Sequence, residues 1–287
     1  MRKIREKIFE ILIKMLTLFS VLILAFVVIF IFKESLTFFK EVSLLKFITG
    51  RRWNPLGPPE ELSILNIIWG TVYVSLVAIA IALPIGIGTA VVLSCYTNRN
   101  VKRLIRGIVD ILAGVPSVIY GFVGLLVVVK FFEVNLSLAS GESVLSGGIV
   151  LSVMLLPFIV STCDESMEKI YREYSQSSRA LGVSKSYMIR NLLLPASKRS
   201  ILASVVLALG RGMGETMAVM MVIGNASIIP RLLGKAQTIP SLIALEMGMA
   251  EVGSLHYHAL IASGFVLMIM LLIINGLLYV IKNRMDI

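Results

Sequence analysis

Charge is what this sequence has least of. Only 15% of its 287 residues are Asp, Glu, Lys or Arg, where a soluble domain carries about a quarter. Apolar residues reach 57% and mean hydropathy is +0.92. So little charge cannot cover a water-facing surface, which excludes a soluble enzyme and a disordered chain. Two cysteines, Cys95 and Cys163, exclude a disulfide scaffold, and no CxxC or His/Cys ligand spacing is present. The two histidines, His256 and His258, form a lone i, i+2 pair at a loop–helix border. They read as interfacial residues, and no metal or cofactor is assigned. No GxxxxGK[ST] motif occurs, because Gly234-Lys235 lacks both the upstream glycine and the following Ser or Thr. ATP binding through a P-loop is therefore excluded, and any ATPase that drives this chain is another polypeptide.

What is present is a series of uncharged runs near bilayer length. A span needs about 20 apolar residues. Runs at 15–32, 62–98, 111–129, 143–163, 200–230 and 259–281 give six, the second starting near Ile64 and ending near Cys95. The fold class is all-α integral membrane. The charge balance of +10 then reflects basic loops on the cytoplasmic side rather than nucleic-acid binding. Of the 27 basic residues, 18 fall in the N-terminus, the loops after spans two and four and the C-terminus, against 8 on the other side. Both termini are expected in the cytoplasm. The first run exceeds a signal-peptide core and Ile31-Phe32-Lys33-Glu34 offers no small-residue cleavage site, so a retained anchor is expected. Cys95 and Cys163 fall at cytoplasmic span ends and should stay reduced.

Between the spans, the outer loop 33–63 carries Arg51-Arg52-Trp53-Asn54-Pro55 and Gly57-Pro58-Pro59. It reads as a structural cap or a partner contact, with Trp53 at the membrane–water interface. The loop 226–255 is similar, punctuated by Pro230 and Pro240. Pro84, Gly86 and Gly88 interrupt span two, and Gly114-Val115-Pro116-Ser117 sits early in span three, so both spans should face other helices. Asp110 is expected at the start of span three, favoured by the helix dipole. The inner loop 164–199 reads as two short helices around a glycine turn at Gly182.

Arg211 and Glu215 lie inside the fifth run. An Arg at a helix centre costs about 2.5–3.5 kcal/mol to insert. Four residues apart, the two share a helix face and can meet, and Gly210 and Gly214 allow close helix approach. Either the pair is an internal salt bridge that fixes packing, or Arg211 contacts an anion on a transport path, where its forked donors match oxyanion geometry. These residues define an anion-handling membrane helix bundle.

The run Gly210-Arg211-Gly212-Met213-Gly214-Glu215-Thr216-Met217-Ala218-Val219, with Ile223-Gly224-Asn225, resembles the signature of phosphate ABC importer permeases of the PstC type. So do Leu112-Ala113-Gly114-Val115-Pro116-Ser117-Val118-Ile119-Tyr120-Gly121, Met154-Leu155-Leu156-Pro157 and Trp69-Gly70-Thr71. The inner loop is similar to the EAA motif of ABC importer permeases. Gln176-Ser177-Ser178-Arg179-Ala180-Leu181-Gly182 occupies it, and Leu194-Pro195 follows at the family spacing. Gln176 replaces the usual Glu and serines replace both alanines, which weakens a charged contact there but leaves the turn.

The resemblance implies the type I ABC importer permease fold, a five-helix core plus an N-terminal helix. The core would cover 64–287, after an N-terminal tail, helix and outer loop over 1–63, with a cytoplasmic coupling loop at about 164–199. It implies a non-enzymatic subunit of an inner-membrane importer. The partners would be a second, PstA-like permease, two copies of a phosphate-transport ATPase, an extracytoplasmic phosphate-binding protein and the bilayer. It places Arg211, Glu215 and Thr216 on the substrate pathway, and Gln176, Ala180, Leu181, Gly182 and Pro195 at the ATPase. GETMAV favours this type over the partner permease; a permease for molybdate or sulfate is the other alternative.

Overall fold

The computed structural model describes residues 2–135 and 140–284. It is helical, with one pair of two-residue strands. In chain order, α1 (Arg2–Glu41) is followed by α2 (Leu44–Thr49), β1 (Trp53–Asn54) and β2 (Glu61–Leu62). Then come α3 (Leu65–Cys95), α4 (Arg99–Gly114), α5 (Ser117–Gly124) and α6 (Lys130–Asn135). After them α7 (Val144–Ala180) leads to α8 (Lys185–Met188), α9 (Leu194–Ala196) and α10 (Lys198–Met213). The chain closes with α11 (Met217–Met220), α12 (Ile239–Glu246) and α13 (Leu255–Arg284).

Among the described residues five helices are long and apolar enough to cross a membrane, and the bent pair formed by Lys185–Ala196 and Lys198–Met213 brings the number to six if it counts as one span. Three of the six expected spans differ in their ends. The third helix that qualifies is Ser117–Asn135, because the chain breaks at Val115-Pro116. Proline removes a backbone donor and pushes the residue before it out of the helical region. Asp110 therefore lies late in α4 and is exposed, not at a helix start. The fourth span does not stop at Cys163: α7 runs 37 residues, about 56 Å, into the segment expected to be a separate loop helix. The fifth stays helical only to Met213.

Span two is not interrupted. Pro84 lies inside a continuous α3. Gly86 lets α3 touch α7, since a side chain there would meet Ile159. α3 and α7 form the centre of the bundle, burying Val74, Ala78, Leu151, Leu155 and Ile159. Gly148 permits the same closeness from the α7 side, against Val77.

At one end a second core joins Phe38 and Phe47 to Ile64, Ile239, Leu242 and Leu260. Here β1 pairs antiparallel with β2, Trp53 opposite Leu62. Trp53 Nε1 donates to the Glu246 carboxylate at 2.9 Å, and His256 Nε2 lies 2.8 Å from the same carboxylate. The outer loop is thus tied to the segment before α13, and His258 sits 3.0 Å from Glu34 of α1. α12 starts on a capping box between Thr238 and Ser241. Both cysteines are buried and free. Cys95 closes α3, whereas Cys163 lies within α7 against Ser204.

Candidate functional site

Arg211 occupies the last turn of α10. It does not meet Glu215. The helix ends at Met213, Gly214 caps it, and Glu215 lies in the connection to α11. The i, i+4 argument fails because it assumed helix beyond residue 213. The glycines at 210, 212 and 214 weaken the helix where it ends. Glu215 turns instead to the next segment, and its Oε1 accepts a hydrogen bond from the Ala218 backbone N–H at 3.2 Å. Thr216 Oγ1 donates to the Gly214 carbonyl at 3.4 Å.

The Arg211 guanidinium instead lies over the Phe158 ring, 4.3 Å from its centre. Such a contact is worth about 0.5–2 kcal/mol, and it holds the group while leaving its N–H donors free. Among the described residues Arg211 has no carboxylate partner, and it is exposed on the surface of this chain. Tyr120 lies on α5 and carries a hydroxyl. That hydroxyl donates to the Leu112 carbonyl at 2.8 Å and so ties α5 back to α4 across the Pro116 break. Gly121 lets α5 approach Ala218 of α11.

Depth follows from α7. Phe158 lies five residues before Cys163, where the uncharged stretch of α7 ends, so Arg211 sits about 8 Å inside that limit. A lone guanidinium facing hydrocarbon is expensive, so this surface calls for a second chain or a water-filled path. Gly210 faces open space and Gly214 meets only its own turn. Among the described residues the GxxxG spacing therefore brings no helix close. Gly212, between them, packs against Leu151 and Leu155.

A second charged group lies further along α7. Asp164 is buried and receives Lys102 Nζ at 3.2 Å, Arg106 Nη2 at 2.6 Å and the Ser94 hydroxyl at 2.8 Å. Glu168 binds Lys102 at 3.0 Å, Arg106 at 2.6 Å and Arg172 at 2.7 Å. Burial works against the Arg106 charge, but the hydrogen bonds to Asp164 and Glu168 outweigh it and hold the guanidinium above its ordinary pKa. This network clamps α4 to α7.

α7 ends in a turn that glycine makes possible. Gly182 has φ +67, its N–H donates to the Arg179 carbonyl and the Val183 N–H to the Ser178 carbonyl. These two bonds close the helix as a Schellman motif. Nothing lies near the missing Cβ of Gly182, so the requirement is backbone conformation rather than space. Leu181 is 79% exposed, and Gln176, Ala180 and Pro195 are exposed with it. After the turn, α8 and α9 lead into α10 through a bend of 58°.

Residues 82–287 match the family model described as the binding-protein-dependent transport system inner membrane component. The chain belongs to this family. It is 35% identical to the probable ABC transporter permease protein YqgH of Bacillus subtilis, over 85% of this chain and 79% of that one. It is also 35% identical to the phosphate transport system permease protein PstC of Mesorhizobium japonicum, over 84% and 79%. The probable PstC of Methanocaldococcus jannaschii is 31% identical over 99% and 96%. Among solved structures, a bacterial alginate ABC transporter chain superposes with a TM-score of 0.65 at 16% identity, covering 96% of this chain and 94% of that one. A chain of the inward-facing MetNI methionine ABC transporter gives 0.62 at 18%, covering 77% and 95%. The fold is that of type I ABC importer permeases.

As a permease of this family, the chain brings Arg211, Glu215 and Thr216 together at one helix break, though without the expected ion pair. Gln176, Ala180, Leu181 and Gly182 lie at the exposed end of α7 and its turn, and Pro195 is exposed further along, in α9. Sequence reasoning missed Phe158, which carries no charge signal, and named Tyr120 only within the family signature. It also missed the α4–α7 clamp, whose signal was present: Lys102/Arg106 and Asp164/Glu168 are both i, i+4 pairs, of opposite sign.

Proposed function

We propose that this chain is a pathway-forming permease subunit of an ATP-driven phosphate importer, and that Arg211 is its anion contact. The single observation that carries the reading is a guanidinium at membrane depth with free donors and no carboxylate partner among the described residues. A structural charge would be neutralised where it sits; this one faces outward, where a second permease of the PstA type would close the pathway around it. The similarity to PstC proteins supports phosphate as the ion, and forked guanidinium donors suit its oxygens. Glu215 and Thr216 shape the loop beside Arg211.

The exposed end around Gly182 faces the cytoplasm in this reading, with both termini. Two ATPase subunits dock beneath the heterodimer, and this chain offers Gln176, Ala180, Leu181, Gly182 and Pro195. ATP hydrolysis belongs to those subunits and the permease needs no cofactor. An extracytoplasmic phosphate-binding protein delivers substrate at the opposite end, where Trp53 and Glu246 lie. The core over 64–287 provides the path, and 1–63 supplies the anchor helix and outer loop.

The test is phosphate uptake into cells or vesicles, normalised to assembled complex. Arg211→Gln should assemble at the wild-type level and lose most uptake, and Arg211→Lys, which keeps charge but not the fork, should lose part of it. Wild-type uptake by Arg211→Gln would refute the pathway role. Uptake of sulfate or molybdate in preference to phosphate would refute the substrate.

A further inference from the structure

A cavity of about 900 Å³ opens at the Gly182 end, and Arg211 is not among the residues that line it. Its floor is the last turn of α3, one wall is α4, and the other is α7 from Glu168 onward. Five cations line it, Arg99, Lys102, Arg103, Arg106 and Arg172, against the carboxylates of Asp110 and Glu168. Three of the five are committed to the clamp with Asp164 and Glu168. Arg99 and Arg103 are not. They lie four apart on one face of α4, are exposed, and among the described residues neither has a carboxylate partner. Because Lys102, Arg106 and Arg172 already surround Glu168, the mouth keeps a positive potential that attracts an anion.

We propose that this cavity binds a phosphate group, held by Arg99 and Arg103 and carried by an anionic lipid headgroup or a free phosphate ion. Paired guanidinium forks match phosphate oxygens better than any other side chain. The floor lies where the second apolar span ends, at Cys95, which is headgroup level. α4 also exposes Val101, Leu104 and Ile108, an apolar strip on the face of the helix opposite Arg99 and Arg103. A helix that turns such a strip to hydrocarbon holds its arginines at the depth of lipid phosphates, which favours a lipid headgroup over a free ion. The site does not depend on phosphate being the transported ion.

Native mass spectrometry of the full-length chain in its complex, titrated with phosphatidylglycerol or phosphatidylcholine, reads the occupancy. Phosphatidylglycerol should bind in preference to phosphatidylcholine. The double variant Arg99→Gln with Arg103→Gln should weaken it about 25-fold, at about fivefold for each basic residue near an anionic headgroup. Arg190→Gln, exposed at the same end but outside the cavity, should bind as wild type does. Inorganic phosphate added as competitor separates the sources: displacement assigns the free ion as a ligand too, and resistance assigns the lipid. Equal binding of the two lipids by the wild type, a comparison that needs no variant, would overturn the proposal. So would unchanged binding by the double variant.

Discussion

Two charged groups sit along α7 within about 9 Å of helix rise, and the fold treats them oppositely. Around Asp164 and Glu168 every charge is answered: two carboxylates meet Lys102, Arg106, Arg172 and a serine hydroxyl. Around Phe158 a single guanidinium lies on an aromatic face, its donors unused. The first group has the geometry of a clamp, closed on itself and holding α4 against α7. The second is open, and an open cation at membrane depth is stable only with something that this chain does not itself supply. Charge alone does not separate the two groups. In the proposed function, the unanswered charge is the one that meets the anion.

The comparison breaks most visibly at Asp164. Asp164→Ala would leave Lys102, which is 9% exposed, and Arg106 with Glu168 as their one shared carboxylate. Removing one partner of a buried ion pair costs about 3–5 kcal/mol. The variant should lose folded permease and melt at a lower temperature, whereas Arg211→Gln should barely move the melting temperature. If the melting order were reversed, Arg211 would be the structural charge and Asp164 the dispensable one.

Gly182 should come next. A side chain at φ +67 costs about 1–2 kcal/mol, and a β-branched one is tolerated less, so Gly182→Val should be worse than Gly182→Ala even with open space around the position. Association with the ATPase and ATP-driven uptake should fall together in both, while membrane insertion is kept. Wild-type association and uptake in both variants would remove the coupling role of the turn.

How much of this was legible follows the same division. Apolar runs are visible one residue at a time, so six crossings could be counted, and Gly182 announced its turn through composition and spacing. Span ends were less visible. α7 continues past Asp164 because its polar segment keeps helix-forming residues with no breaker before Gly182, and hydropathy is blind to that. The Arg211–Glu215 pair was misjudged because helical spacing was extended through the alternating glycines Gly210, Gly212 and Gly214, which favour an end. Phe158 was invisible because an apolar ring in an apolar span carries no signal until tertiary packing places it beneath a cation.

Phe158 tests how the open cation is held. Phe158→Leu keeps the bulk but removes the ring face, a loss of about 0.5–2 kcal/mol at most. Stability should change little. Uptake should fall by less than in Arg211→Gln, because the charge remains and only its orientation is loosened. Uptake equal to that of Arg211→Gln would make the ring as important as the cation.

The smallest expected effect is also the sharpest. Double-mutant cycles report how strongly two residues depend on each other: contacting charges couple by about 0.5–3 kcal/mol, and independent sites add to within about 0.5. The cycle through Arg211→Gln and Glu215→Gln, read as melting temperature of the assembled complex, should show no coupling beyond that limit. Glu215 accepts from the Ala218 backbone, and Arg211 rests on Phe158, so neither loses a partner when the other is neutralised. The cycle through Lys102→Met and Asp164→Leu should show clear coupling, because the two charges meet directly at 3.2 Å in a buried network. Melting energetics and uptake need not agree, and their disagreement is informative. Coupling in transport without coupling in stability would mean that the two residues meet through the passing anion. Coupling in stability would restore the salt bridge and make Arg211 a closed charge like those of the clamp.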